Sequence, residues 1–397
     1  MFVQSITHAL EKPPRRGQAM LEIELIDTNR KDQVRRFVEL PFRLYRNCPQ
    51  WVPLLNVDAY NYLNRQKHPF HEHSAVDFFL AVQDGRDVGR IAVIENRPFN
   101  AYHQTHKANF YFFDCENDPA IAKALFERAF AWARARGLQE LVGPKGMGAL
   151  DGYGILIEGH AERNTMTMLN YNYAYYQSLV EGLGFEKEVD FVSCYLPAEK
   201  FQIPERVSRI AERSLQRGGL QVKLFSSKKE LLQWAKRIGQ AYNNAFVRNW
   251  EYYPLSQREI DYVVENIMTI ADHRLIKIIV HGEEVVGFLF AFHDLSAALQ
   301  RSGGRLNLLS LLDLLWEMRR TQRVTVNGMG ILPEHQGHGG NAILYNEMGR
   351  TLLAFQRFLH VEMTQVAETA VQMRSDLKNL QGREYKNHRV YRRSLLE

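Results

Sequence analysis

Hydrophobic and polar positions along this chain change their spacing in an order that occurs twice. Leu21 to Ile26 alternate as a half-buried strand does; Asp27 and Thr28 then offer helix caps, and apolar residues recur at helical spacing as far as Tyr45. About 200 residues later the signals return: Leu220 to Phe225, caps at Ser226 and Ser227, and a helical run to Phe246. A Trp near a Pro follows each run, Trp51 with Pro53 and Trp250 with Pro254. Next comes a hairpin, Phe78 to Gln83 and Val88 to Ile94 about Asp84-Gly85-Arg86, matched by Leu275 to Val280 and Val285 to Phe292 about His281-Gly282-Glu283.

Each half then continues as strand, helix, strand, helix. The first runs Asn109 to Phe113, Ala120 to Arg136, Glu140 to Val142 and Tyr173 to Leu183; the second runs Val324 to Ile331, Ala342 to Phe358, Leu359 to Met363 and Val366 to Leu380. This order predicts an α/β fold, a mixed sheet with helices on both faces and not a barrel. A repeat of this length means two domains of one kind, not a solenoid. The expected division is a flexible tail over 1–20, a first domain over 21–200, a linker helix over 201–219 that starts at Pro204 and ends at Gly218-Gly219, and a second domain over 220–397.

Composition narrows the picture. The 397 residues exceed one ordinary core, and 45% hydrophobic with 24% charged residues exclude whole-chain disorder. A net charge of +5 is too weak for a nucleic-acid protein and compatible with a polyphosphate ligand. Cys48, Cys115 and Cys194 form neither a disulfide framework nor a zinc knuckle, which points to a reducing cytoplasm. His68, His71 and His73 fit no metal-ligand spacing, so no metal is expected. The opening residues lack the pattern of a signal peptide, and the longest apolar stretch, Leu306 to Met318, is broken by polar residues and too short to span a membrane.

The sharpest chemical signal lies between Val324 and Ala342, where an alternating strand passes through Leu332-Pro333-Glu334-His335 into Gln336-Gly337-His338-Gly339-Gly340-Asn341 and a helix. Glycines allow tight turns that gather backbone N–H groups, and a helix N-terminus adds unpaired donors and partial positive charge, so this is a cradle for pyrophosphate. The Walker pattern and the dinucleotide fingerprint both fail here. The segment resembles the coenzyme A loop of the GNAT N-acetyltransferase superfamily, Gln/Arg-x-x-Gly-x-Gly/Ala, with Gln336 and Gly339 matching and Asn341 departing. The resemblance covers the chain from about Leu220 onward, and the order of elements extends it to the first half, as in a tandem GNAT protein. There, Asp114 to Pro119 offers acidic residues where the loop should be, so the first copy reads as degenerate.

The resemblance implies an acyl-coenzyme A-dependent N-acyltransferase that moves an acetyl or other acyl group to the amine of a small molecule or peptide. Main-chain groups of Met329, Gly330 and Ile331 would hold the pantetheine arm and polarise the thioester, and amides from Gly337, His338, Gly339, Gly340 and Asn341, beside Gln336, would hold the pyrophosphate. Glu362 is the candidate general base, against the alternative of a solvated strand carboxylate, and Tyr385 or Tyr391 the candidate acid, because the helix Val366 to Leu380 has no Tyr. Two rivals stay open: a catalytically silent coenzyme A-binding or interaction protein, and a Fem-like aminoacyl transferase. Tyr173 to Tyr176 read as core packing before chemistry. The apolar face of Leu306, Leu308, Leu309, Leu312, Leu315 and Trp316 reads as packed on the sheet or the other domain, in preference to lining an acyl or acceptor pocket. Arg389-Val390-Tyr391-Arg392 reads as an edge strand with a charged face.

Overall fold

The computed structural model describes residues 20–396 apart from 149, 167, 168, 199–201 and 248, so nearly all of the expected N-terminal tail lies outside the described residues. In the first half the elements are β1 (Leu21–Leu25), α1 (Lys31–Leu44), α2 (Asn56–Leu63), β2 (Ala75–Gln83), β3 (Arg86–Glu95), α3 (Arg97–His103), β4 (Lys107–Cys115), α4 (Pro119–Arg134), β5 (Glu140–Gly143), β6 (Ile155–Glu158), α5 (Tyr175–Glu181) and β7 (Glu186–Pro197). Helix α6 (Glu205–Gln216) follows. The second half comprises β8 (Gln221–Lys223), α7 (Lys228–Ala245), α8 (Gln257–Ile270), β9 (Ile276–His281), β10 (Glu284–His293), α9 (Ser296–Ser302), α10 (Leu308–Arg320), β11 (Arg323–Ile331), α11 (Gly340–Phe355), β12 (His360–Ala367), α12 (Val371–Asn379) and β13 (Arg383–Ser394).

Local signals explain most boundaries. Ser227 caps α7 by accepting the amide of Glu230, and Ser256 and Glu259 cap α8 reciprocally. Asp27 does not cap α1; its carboxylate accepts the amide of Asn29 in a turn, and the helix starts at Lys31.

The strands form one mixed sheet in the order β1-β2-β3-β4-β5-β13-β7-β12-β11-β10-β9-β8, with β6 beside β13. β4 with β5 and β11 with β12 are parallel pairs, and the other pairings are antiparallel. The last strand of each half is exchanged. β7, from the first half, lies against β12, and β13, from the chain's end, lies against β5. Each carries core residues into the other half: Val192, Cys194 and Leu196 join the second-half core, while Tyr391 and Leu395 join the first. Burying each large apolar side chain contributes about 1.5–3 kcal/mol, so neither core is complete without the borrowed strand.

Strand β13 is therefore central, not an edge. Its charges survive there because carboxylates from the adjoining part of the sheet meet them: Arg389 makes two bonds to Asp190 of the neighbouring β7 at 2.8 and 3.0 Å, and Lys386 meets Glu362 of β12, one strand beyond β7, at 3.0 Å. The aromatic cluster packs as a core: Tyr176 is buried, and its hydroxyl accepts the amide of Cys115 at 2.9 Å. Helix α10 reverses the expectation for its apolar face, since Leu308 and Leu309 are 73% and 78% exposed while Glu317 is only 6% exposed. The reason is electrostatic: Arg301 binds Asp313 at 2.9 Å and Glu317 at 2.5 Å, holding the polar side of the helix against the protein.

Strand exchange predicts one cooperative thermal unfolding transition for the whole chain. Scanning calorimetry should show a single peak, and a fragment covering 220–397, stripped of β7, should not fold alone; two separated transitions or a stable fragment would contradict the shared core.

Candidate active site

Parallel pairing of β11 with β12 runs from Arg323 opposite His360 to Val326 opposite Met363 and then stops. Beyond that point β11 stays with β10 and β12 stays with β7, so the two strands part. A bulge drives the separation: Gly328 has φ of +89°, and the register with β10 shifts between Leu289 and Ala291. The first half has the same device at Phe112, with φ of +47°, and β4 leaves β5 after Asn109. In the second half Asn327 to Ile331 and Thr364 to Ala367 wall a cavity of about 2020 Å³ that both halves line.

The glycine-rich loop closes one end of this gap. Gly337 and Gly339 have φ of +80° and +81°, and α11 starts at Gly340 with no side chain capping it. The loop is fixed from outside: Gln336 Nε2 donates to the Ile331 carbonyl at 3.1 Å, and Asn341 Nδ2 donates to Asp376 Oδ2 at 3.0 Å. The departing residue Asn341 thus points its amide at α12. A Cβ on Gly339 would fall 2.1 Å from Ser214 Oγ on α6, whereas one on Gly337 would meet nothing within 4 Å. The cradle is backed by α6 and open at Gly337. Met329, Gly330, Ile331, Gln336, Gly337, Gly339, Gly340 and Asn341 all line the cavity, and His338 does not. In the first half Asp118 caps α4 by accepting the amide of Ala120 at 2.8 Å, so that donor is already engaged.

Glu362 and Tyr385 come together but stand apart from this cavity. Glu362 lies in the still-paired part of β12, buried, with its carboxylate on Lys386, and Tyr385 bonds to it from β13. Burial raises the Glu362 pKa despite Lys386, and burial next to that carboxylate raises the Tyr385 hydroxyl far above its ordinary value. Neither lines the large cavity; Tyr385 faces a small one of about 280 Å³.

Other groups do face the large cavity. Asp151 is 5% exposed, with its carboxylate accepting from Tyr62 Oη and, at 2.8 Å, from the Gly148 amide. Burial lifts its pKa to about 6, and no cation pairs with it among the described residues. Asp58, half-buried and raised by the same cause, lies with it around Tyr262. The loop that carries Asp151 is docked on the parted strand: Gln365 Oε1 accepts the Tyr153 amide at 3.1 Å, and Gln365 Nε2 donates to the Tyr153 carbonyl at 3.0 Å. The hydroxyls of Tyr345 on α11 and Thr364 on β12 are buried without a hydrogen-bond partner among the described residues, and both residues line the cavity. Burial raises the Tyr345 pKa, so its hydroxyl stays protonated.

The cavity's remaining wall is largely apolar, with Phe42 and Trp51 from the first half and Phe246, Phe290 and Leu299 from the second. Its volume exceeds the roughly 300–1,000 Å³ usual for small-molecule pockets.

A solved tandem GNAT protein from the clavulanic acid biosynthesis pathway superimposes on 95% of this chain and 99% of its own with a TM-score of 0.55 at 14% identity. The fold is that of a tandem GNAT protein. A GCN5-related N-acetyltransferase from Sphaerobacter thermophilus matches over 95% of this chain and 96% of its own, with a TM-score of 0.50 and 11% identity. By sequence, the chain is 26% identical over 382 residues to the bacterial ceramide synthase of Caulobacter vibrioides, covering 94% of this chain and 98% of that protein. It is 23% identical over 380 residues to protein YghO of Escherichia coli, 92% and 94% of the two chains. No family model matches.

Within this tandem GNAT fold Asp151, Thr364 and Tyr345 carry no motif or spacing that singles them out in the sequence. One signal was available, the glycine density of residues 143–154, where a Cβ at Gly146 would sit 2.0 Å from Asp151 Oδ2. The Glu362–Lys386 pair is buried, with its charges 3.0 Å apart. Lys386→Met should cost about 3–5 kcal/mol in urea unfolding at neutral pH by stranding a buried carboxylate. The loss should shrink as pH falls and Glu362 takes up a proton, and adding Glu362→Gln should recover part of it. An unchanged midpoint would remove the pair from the stability of the tandem GNAT sheet.

Proposed function

We propose that this protein is an acyl-coenzyme A-dependent N-acyltransferase, with the thioester bound in the second half and a long-chain substrate in the shared cavity. The observation that carries the reading is the conjunction of parted parallel strands, an uncapped glycine loop open at Gly337, and a buried carboxylate with no cation partner, all on one cavity. The free backbone edges of β11 and β12 suit the amide groups of a pantetheine arm, and the loop suits a pyrophosphate. The volume and apolar wall favour a longer chain than acetyl. The ceramide synthase relative supports the same direction, ceramides being N-acyl amides of long-chain amino alcohols.

In this reading Asp151 and Asp58 attract the acceptor's ammonium, and Asp151 takes a proton from it, leaving a neutral amine to attack the thioester carbonyl. Main-chain N–H groups of β11 at Met329 to Ile331 steady the negative charge that develops on the carbonyl oxygen. The C–N bond forms and the C–S bond breaks as Tyr345 supplies a proton to the departing thiolate; the second proton, shed by the nitrogen as it becomes an amide, restores Tyr345, and the proton on Asp151 leaves to solvent. We assign base and acid to Asp151 and Tyr345 in place of Glu362 and Tyr385, whose groups are engaged with one another and with Lys386 outside the cavity.

Calorimetric titration with coenzyme A should give a dissociation constant on the order of micromolar. Gly337→Glu, which places a charge in the open cradle, should abolish the heat, while Gly337→Ala, sharing the backbone strain without the charge, should retain most of it. No binding to wild type, or equal binding to both variants, would sink the loop assignment.

Long-chain acyl-coenzyme A offered with long-chain primary amines should yield an amide by mass spectrometry and release one thiol. Because Asp151 must be ionised to act, kcat/KM should rise with pH through an apparent pKa of about 6. Asp151→Asn should lower turnover by about 100-fold or more while leaving thermal stability intact. Wild-type rates in that variant would return the base to another residue.

A further inference from the structure

Helix α10 is built inside out. On a helix that packs on a soluble core, the apolar stripe faces inward and charges face water. Here Ser310 and Glu317 are buried, while Leu308, Leu309, Leu312 and Trp316 are 73%, 78%, 55% and 55% exposed. The polar side is fastened in place. Arg301 holds Asp313 and Glu317, Asn307 and Ser310 cap the N-terminus reciprocally, and Arg357 donates to the carbonyls of Met318, at 2.9 Å, and Arg319 at the C-terminus. An exposed row of leucines kept in water by so many polar contacts needs a partner to cover it.

The ends of the face indicate which partner. Arg305 stands exposed before the helix and Arg319 and Arg320 stand exposed at its end, with the Arg320 guanidinium 3.6 Å from the centre of the Trp316 ring. Leucines in the middle, an aromatic at the margin and arginines at the flanks match the depth profile of a bilayer interface: acyl chains, the headgroup boundary, anionic phosphates. At about 1.5 Å per residue this helix is too short to cross a membrane and long enough to lie along one. Its other flank continues into the cavity: Leu311, Leu314, Leu315 and Met318 line it, as do Leu306 and the neighbouring Leu54, which are 52% and 43% exposed. The outward leucines and the cavity wall share one helix.

We propose that α10 docks this protein on an anionic phospholipid surface and seats the apolar rim of the cavity against the bilayer, so that a lipid chain enters without crossing water. The docking stands on α10 alone; the delivery of a chain to the cavity rests on the acyl-transfer reading.

The full-length protein should co-sediment with vesicles of phosphatidylcholine and phosphatidylglycerol in equal parts, and less with phosphatidylcholine alone. Leu308→Glu/Leu309→Glu/Leu312→Glu should weaken that binding by at least about tenfold, with its melting temperature and coenzyme A titration unchanged because these side chains touch little of the core. Arg305→Glu/Arg319→Glu should erase the preference for phosphatidylglycerol. Independently of these variants, brominated lipids should quench wild-type tryptophan emission more than that of Trp316→Phe. Absence of wild-type binding to either vesicle, or equal binding by the triple variant, overturns the proposal. So does a concentration-dependent dimer, without vesicle binding, that the triple variant disperses, since α10 would then join copies of this chain. Vesicle binding without any coenzyme A binding would sustain the docking and defeat the acyl-transfer reading.

Discussion

The pairing of β13 with β5 on one side and β7 on the other fixes everything else in this molecule. Two copies of one fold could sit side by side as independent bodies, with a cleft free to open. Exchange of their last strands instead makes a continuous sheet, and each core depends on side chains from the far half. The cavity inherits that rigidity. Its floor is where β11 and β12 part, its far wall comes from the first half, and the loop bearing Asp151 is tied to β12 through Gln365. A carboxylate from one copy is thereby held beside the parted strands of the other.

The two copies diverge in how they treat the helix that follows the parted strands. In the second half the turn is glycine and the helix end is uncapped. In the first half Asp118 caps the helix, and Arg43 and Arg86 take up Glu116. The same bulge, at Phe112 and at Gly328, survives in both, since it shapes the sheet whatever is bound. The first copy contributes cavity wall and Asp151.

Much of the fold was legible because hydrophobic period and turn chemistry are local properties. Hairpins at Asp84-Gly85 and His281-Gly282, the Ser227 cap and the strand, loop and helix around Gln336 to Asn341 fall where the sequence puts them. Strand exchange was not legible, because pairing partners are set by tertiary packing and not by the pattern within a strand. β13 has alternating charges that look like an edge until Asp190 of β7 and Glu362 of β12 are found within ion-pair distance of them. Helix α10 misled for the reverse reason: its periodicity is that of a packed helix, but the buried Glu317 carboxylate bound to Arg301 decides which face turns inward. Asp151 was hidden because a single carboxylate in a glycine-rich loop carries no periodic signal, and only its burial gives it chemistry.

A structure with a long-chain acyl-coenzyme A bound would test the account most directly. The account predicts pyrophosphate on the backbone of Gly337 to Gly340, the pantetheine arm between β11 and β12, and the thioester in the cavity that holds Asp151 and Tyr345. Density for the nucleotide in the first half's parted strands, or on the outer surface away from the glycine loop, would contradict it.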